Sequence, residues 1–503
     1  MAQNVYINSR GQMYLAPIPV NVADSQIANP SPNLINSLLR SNLFDAYTPV
    51  LTGGKFKKTN KFTYMLGGNG GSAVFYSANP YAGGSFTYCT IYPLESHIVA
   101  FRPIFAMPFN ATMNILGCRA FVSSAINITN GNLVPGKATG IPTGDTVGVT
   151  VGFDWATANV TSYAAGQAAY ASDDWTINSA PVATSFVMPA NGGNVPNADV
   201  VYYPVFGDWT PVQTIDRTDG GRQPLLFVYS RYALGSAACW GNGSTVSFPN
   251  LPNAQARGRN FISLSSSTGN AASLTDPTSC TWLGNLTAPD GTPNAAIARD
   301  SVLGIQVLSV TEGLQLVSTG DSLSIGGTPG GFPAYQRAAY DLSTPAFPIV
   351  CTSLGWGGKT SPFYLPQADN WMKIMDVSGI IGEYLSANDG ATAAILSNLA
   401  AKNMALANKY KNKGVIPIYN TAEGCQPAWN GTNATTLFNN VRTFIGNIIE
   451  NGAYGVDALS AICDNNAPWN YAPGLTSDGA HSNNAGMELM VPVYKQLFQK
   501  IFA

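Results

Sequence analysis

Apolar and polar positions follow three different rhythms along this chain. Residues 1–55 show little periodicity. Their one regular stretch is SPNLINSLLRSNLF, where Leu34, Leu38 and Leu39 recur at helical spacing among prolines and small polar residues. This segment reads as an arm or anchor rather than a domain. From 56 to 300 the period becomes two. In DTVGVTVGFDW, Val147, Val149, Val151, Phe153 and Trp155 fall on one face, as in a half-buried strand. SFTYCTIY alternates through Phe86, Tyr88 and Tyr92, and ADVVYYPVF and QPLLFVYSRY also read as strands. Gly, Asn and Pro clusters separate these runs. Many short strands with few helices predict an all-β antiparallel sandwich of jelly-roll kind over 56–300. The absence of a strict repeat weighs against a β-helix or a propeller.

After residue 300 strands and helices alternate. LQLVSTGDSLS, AFPIVCTSLGWGG and SGIIGEYLSANDG are apolar runs that end in small or polar loops. A helix follows, with Ile395, Leu399, Leu406 and Tyr410 on one face and Gly414 placed to terminate it. VIPIYN predicts a further strand. LFNNVRTFIGNIIENG is helical through Leu437, Val441, Phe444, Ile448 and Gly452, and GMELMVPVYKQLFQKIF is helical too. The alternation predicts an α/β domain over 301–503, a parallel sheet flanked by helices. In such sheets the active site lies at the carboxyl ends of the strands.

Composition narrows the setting. Only 10% of the 503 residues are Asp, Glu, Lys or Arg, against about 25% in ordinary soluble domains. Solubility must come from Asn, Ser, Thr and Gly, and 51 Gly and 33 Pro imply many turns. That palette suits large β-rich extracellular or virion proteins. The formal net charge is −2 and no Lys/Arg run occurs, so nucleic acid is not an expected partner. No apolar run approaches the roughly 20 residues that span a bilayer, and membrane insertion is not expected. MAQNVYINSRGQMYLAPIPV lacks a basic segment followed by an apolar one, which argues against a secretory signal and fits release by lysis inside a particle. The seven cysteines are scattered without a CxxC, and there are two histidines. A metal site is therefore not expected, and the cysteines read as small buried apolar residues.

The strand-end loops carry candidate chemistry. Gly320-Asp321-Ser322-Leu323 follows the first strand, and Gly355 and Gly358 follow the second. Asn388 and Asp389 follow the third, and Asp478-Gly479-Ala480-His481 precedes the last helix. A serine nucleophile needs a base, the base needs an orienting carboxylate, and the developing oxyanion needs donors. All three types are present at strand ends. His97, in LESHIVAF, has no such partners and reads as a structural histidine. Asp321 and Asp389 read as residues that shape their loops.

In this order and context, the four segments resemble the SGNH, or GDSL-type, hydrolase family over residues from about 300 onward. That family has a GDS(L) serine motif, then N-x-G-x-S-G-x-T, G-x-N-D and a late D-x-x-H. The resemblance implies Ser322 as nucleophile, His481 as general base and Asp478 as the carboxylate that orients it. It implies an oxyanion hole from the Ser322 and Gly358 backbone N–H groups and the Asn388 side-chain amide. Two departures stand out: Ser386 replaces the glycine of G-x-N-D, and Ser353 and Gly357 replace the Asn and Ser of the second motif. Trp356 and Lys359 flank the oxyanion glycine and are candidates for substrate contact, with packing the alternative for Trp356. The implied reaction is acyl transfer to water, without metal or organic cofactor.

An upstream β-module joined to such a hydrolase resembles carbohydrate esterases, and DWTPVQTIDRTDGGRQPLL resembles part of a module in bacterial and phage SGNH proteins. The resemblance implies removal of O-acetyl or similar groups from a bacterial surface polysaccharide. The low charge and the N-terminal arm resemble a phage tail spike or receptor-binding protein. That would be a homotrimer acting at the host surface, joined to other virion proteins through its arm. Two alternatives stand beside it: a secreted bacterial carbohydrate esterase whose β-module binds glycan, and a non-catalytic virion adhesin.

Overall fold

A computed structural model of the protein describes residues 5–7, 13–15, 57–65, 85–106, 113–129, 132–136, 147–150, 186–188, 204–233, 261–262, 302–324, 333–355, 360–361, 375–383, 388–389, 393–420, 454–463, 470–476 and 478–502. The chain divides into two compact units. One comprises Met1–Phe44, Asn60–Leu66 and Ala73–Glu312, the other Asp45–Thr59, Gly67–Ser72 and Gly313–Ala503. The segments SPNLINSLLRSNLF and LFNNVRTFIGNIIENG lie outside the described residues, as does DTVGVTVGFDW beyond Thr150.

Among its described residues the first unit is built from strands. In chain order they are β1 (Val5–Ile7), β2 (Met13–Leu15), β3 (Thr59–Met65), β4 (Ser85–Pro93), β5 (Ile98–Ala106), β6 (Met113–Ser123), β7 (Ala125–Thr129), β8 (Asn132–Gly136), β9 (Val147–Thr150), β10 (Phe186–Met188), β11 (Pro204–Phe206), β12 (Thr210–Pro211), β13 (Leu225–Ala233), β14 (Phe261–Ile262) and the first part of β15 (Val302–Thr319). One sheet has the order β10-β6-β13-β4-β14, with β9 also on β6, and its pairs are antiparallel. At its centre β13 buries Phe227 and Tyr229 on one face and Val228 and Ser230 on the other. Burial on both faces explains why QPLLFVYSRY is apolar almost throughout rather than alternating. In a second set, β5 pairs antiparallel with β11, β12 and residues Val302–Ser309 of β15. There the Arg102 guanidinium stacks on Phe206 and Trp209 and donates from Nε to Gln306 Oε1 at 2.8 Å.

The second unit contains the remainder of β15, then α1 (Ala334–Leu342), β16 (Ile349–Ser353), β17 (Gly379–Glu383), α2 (Ala393–Asn412), β18 (Ile416–Asn420), β19 (Tyr454–Val456) and α3 (Asn484–Phe502). Leu314–Ser318 of β15 pair parallel with β16 and Leu316–Thr319 with β17; β17 pairs parallel with β18, and β18 with β19. The strand order is therefore β16-β15-β17-β18-β19. Leu314, Leu316, Ile349, Ile381 and Ile418 join Tyr335, Ala338, Met487, Met490, Tyr494 and Phe498 of α1 and α3 in one core. Val317, Val350 and Ile380, which alternate with the strand residues of that core, are buried as well. These strands are thus buried on both faces, with α1 and α3 packed on one of them.

Local signals fix the helix ends. Gly414 has φ 72°, its N–H donates to the Lys411 carbonyl, and Val415 N–H donates to the Tyr410 carbonyl. These two bonds are the Schellman closure, which favours glycine at the left-handed position. At the start of α3, Asn483 Oδ1 accepts the Gly486 N–H at 3.1 Å, a side-chain cap three residues into the first turn.

Candidate active site

The winding of the second unit's sheet reverses at β15. The chain passes from β15 outward to β16, returns to β17 on the other side, and continues to β18 and β19. Such a reversal leaves a crevice beyond the carboxyl ends of the two strands that flank it. The loop after β15 carries Ser322 and the loop after β17 carries Asn388.

Asp321 shapes the turn that carries Ser322. Its buried carboxylate accepts the Leu323 N–H through Oδ1 at 2.8 Å and the Asn388 side-chain amide through Oδ2 at 3.1 Å. One carboxylate thus holds the serine turn closed and ties the β17 loop to it. Asp389 performs the matching task for the next loop, accepting the Ser361 N–H at 2.7 Å and the Ser361 hydroxyl in a short bond. Both aspartates act as loop-shaping residues, as the sequence leads one to expect.

Asp478 and His481 stand on a loop tied by several hydrogen bonds. Asp478 Oδ1 accepts the backbone N–H groups of Ala480 at 2.9 Å and His481 at 2.7 Å. Gly479 has φ 80°, which lets the chain double back between the two functional residues at no steric cost. Thr476 donates its hydroxyl to the His481 carbonyl at 2.8 Å and accepts the Gly479 N–H at 2.9 Å. Tyr471 donates to the Ala480 carbonyl at 2.9 Å, and the Asn483 amide donates to the Gly474 carbonyl at 2.7 Å. The loop is therefore fastened at both ends before α3 begins.

His481 bridges the two sides. Its Nδ1 lies 2.7 Å from Asp478 Oδ2 and its Nε2 lies 2.9 Å from Ser322 Oγ. Burial by itself pushes the Asp478 carboxyl up. The hydrogen bonds from the His481 side chain and from the His481 and Ala480 backbone outweigh it, together with the histidine's charge, and bring the carboxyl down to about 2. Asp478 is then ionised at neutral pH and can only accept. Nδ1 must carry the imidazole hydrogen, which leaves the Nε2 lone pair facing the serine hydroxyl. That is the tautomer a general base requires.

The structure joins Ser322, His481 and Asp478 by direct hydrogen bonds and brings Asn388 to the serine turn through Asp321. Gly358, Trp356 and Lys359 lie outside the described residues. His97 sits elsewhere, just before β5. Its Nε2 meets Asp216 Oδ1 at 2.9 Å and its Nδ1 meets the Thr214 carbonyl at 3.1 Å. Sequence reasoning passed over Thr476, Tyr471 and Ser361. The one available signal was their closeness in sequence to the motif residues. Among the described residues no cluster of His, Cys, Asp or Glu could hold a metal ion, and no helix is long and apolar enough to cross a membrane.

Neither a protein-family model nor a curated protein sequence matches the chain. Several solved structures resemble part of it. A GDSL-like lipase from Bacteroides thetaiotaomicron is 16% identical with a TM-score of 0.30, covering 37% of this chain and 88% of the lipase. A carbohydrate acetylesterase family member from Sinorhizobium meliloti is 12% identical with a TM-score of 0.29, covering 38% of this chain and 99% of that one. A family 3 carbohydrate esterase from Clostridium thermocellum is 19% identical with a TM-score of 0.28, covering 38% and 97%. At such values the functional reading rests on the geometry of the site.

Proposed function

We propose that the second unit is an SGNH-type serine esterase. The observation that carries this reading is the unbroken relay from Asp478 through His481 to Ser322, with links of 2.7 Å and 2.9 Å. In the first half-reaction Nε2 of His481 takes the Ser322 proton as Oγ bonds to the ester carbonyl carbon. The carbonyl electron pair moves onto oxygen, where the Asn388 amide and the Ser322 and Gly358 N–H groups stabilise it. Collapse breaks the carbon–alkoxide bond, and the leaving alcohol takes the proton from His481. In the second half-reaction His481 removes a proton from water, the hydroxide displaces Ser322, and the serine regains its proton as the carboxylic acid leaves. Asp478 stays ionised throughout and steadies the imidazolium. No step needs a metal or a cofactor.

The substrate we assign is an O-acylated, most simply O-acetylated, bacterial surface polysaccharide. The β-strand-rich first unit, read as a jelly-roll-like sandwich, and a chain with only 10% charged residues support an uncharged, hydroxyl-rich ligand. On the same grounds we place the protein on a phage particle as a trimeric tail spike or receptor-binding protein. The test is acetate release from O-acetylated host polysaccharide. Wild-type protein should release acetate and Ser322→Ala should release none. Glycan binding by both proteins, with acid from neither, overturns the esterase in favour of an adhesin. Absence of the protein from purified particles overturns the virion role alone.

A further inference from the structure

Beneath the serine turn lies a buried hydroxyl network that the reaction scheme does not use. Its centre is Tyr335 of α1. The Tyr335 hydroxyl accepts from Ser318 Oγ, near the end of β15, at 2.6 Å, and donates to the Ser324 carbonyl in a short bond. It also lies 3.4 Å from Ser353 Oγ, at the end of β16, which in turn accepts the Gly355 N–H at 3.3 Å. Ser324 Oγ closes the turn on itself by donating to the Asp321 carbonyl at 2.9 Å. All four residues, Ser318, Ser324, Tyr335 and Ser353, are buried. Ser353 is also the position where the sequence departs from the asparagine of the second motif.

We propose that Tyr335 is a positioning residue for the esterase reaction, an inference that rests on the reading of Ser322 as nucleophile. Its hydroxyl sits where three strand-end features meet: the end of β15, the turn that presents Ser322, and the first residues of the loop after β16. By holding the Ser324 carbonyl two residues beyond the nucleophile, and Ser353 at the root of the next loop, it fixes the serine relative to the loop expected to furnish the Gly358 donor. Away from water such bonds are not exchanged for solvent, so a lost partner is not replaced. Displacement of a reacting group by about 1 Å can cost about 10²-fold in rate.

The ring has a separate role, which makes the proposal testable. Tyr335 stands edge-on to Tyr494, with centroids 5.9 Å apart and planes at 77°. Tyr335→Phe keeps that contact and removes only the hydroxyl. Tyr494→Phe is the control, because its buried hydroxyl accepts from the Asn420 amide at 3.0 Å at the end of β18. Each variant loses one buried hydroxyl, so a merely structural role would affect both alike. Two readouts are needed: steady-state hydrolysis of p-nitrophenyl acetate, and the rate at which a fluorophosphonate modifies Ser322, followed by mass spectrometry. Tyr335→Phe should lower both kcat and the modification rate by about 10- to 100-fold with KM within about threefold. Tyr494→Phe should keep both rates within about threefold while losing a similar amount of melting temperature. Equal rates in the two variants overturn the inference. Wild-type protein that is modified at Ser322 yet hydrolyses no ester overturns the esterase reading, and the modification rates still judge Tyr335. Wild-type protein that does neither overturns both.

Discussion

The molecule contains two histidine–aspartate pairs of almost equal length. In the first unit His97 Nε2 lies 2.9 Å from Asp216, and in the second His481 Nδ1 lies 2.7 Å from Asp478. The difference lies in what surrounds each pair. The remaining nitrogen of His481 faces a serine hydroxyl, a group that can give up a proton and then attack. The remaining nitrogen of His97 faces the carbonyl and hydroxyl of Thr214, whose oxygen also takes the Ile98 N–H. Asp478 is anchored by two backbone N–H groups, whereas the side chain of Asp216 is 95% exposed. An ion pair between histidine and aspartate is thus not a site in itself. The third partner and the rigidity of the carboxylate decide whether the imidazole can work as a base or only as a strut.

The sharpest test of this contrast is to remove each imidazole in turn. His481→Ala should reduce kcat/KM by about 10⁴-fold or more, as expected for a general base acting with its nucleophile as a unit. His97→Ala should leave ester hydrolysis within about twofold and lower unfolding stability by about 1 kcal/mol, the net worth of a hydrogen bond. Comparable losses of activity in the two variants would break the comparison. Next in size is Asn388→Ala. If the amide that Asp321 orients helps to bind the oxyanion, kcat should fall by about 10²–10³-fold with KM little changed. A change confined to KM would assign Asn388 to substrate binding instead.

The smallest effect concerns the anchoring of Asp478. Its carboxyl is brought from the ordinary 3.8 to about 2 in the folded protein. A depressed carboxyl contributes stability above its unfolded value and loses that contribution as pH falls through the folded one. Wild-type protein should therefore melt higher than Asp478→Asn at about pH 5, and the gap should close towards about pH 2. The side chain is 49% exposed, so solvent screening keeps the gap modest. A gap that stays constant with pH would mean that Asp478 is not held by its charge.

The parts of this site that were legible in the sequence are those that chemistry makes rare. Ser322 follows a strand-end Gly-Asp, and His481 is one of two histidines, three residues after an aspartate and just ahead of a helix. The supporting parts were hidden by composition. Helix α1, AYQRAAYDL, offers Ala334, Ala338 and Ala339 to the core, and alanine gives so weak an apolar signal that neither the helix nor Tyr335 stood out. Strand β19 has three residues, too few for any period to register. Asp321 was legible as a loop-shaping residue. That it reaches across to Asn388 was not, because the two are 67 residues apart and only the parallel pairing of β15 with β17 brings their loops together.

The division of the chain near residue 300 was also only partly visible. The apolar run there does not start a domain. It is one 18-residue strand that pairs antiparallel with β5 through Ser309 and parallel with β16 and β17 from Leu314 onward. A hydrophobic pattern reports burial and says nothing of a change of partners along a strand.

That long strand carries a practical warning for anyone who isolates the second unit. A truncated chain beginning at residue 301 would keep Val302–Ser309 but lose β5, against which those residues pair. Ile305, Val307 and Leu308, fully buried in the intact protein, would then lie along a bare edge with open backbone donors and acceptors. Edges of that kind recruit other chains. Such a fragment should precipitate or form fibrous aggregates during purification, and its insolubility would reflect where the cut was made rather than an inability of the second unit to fold.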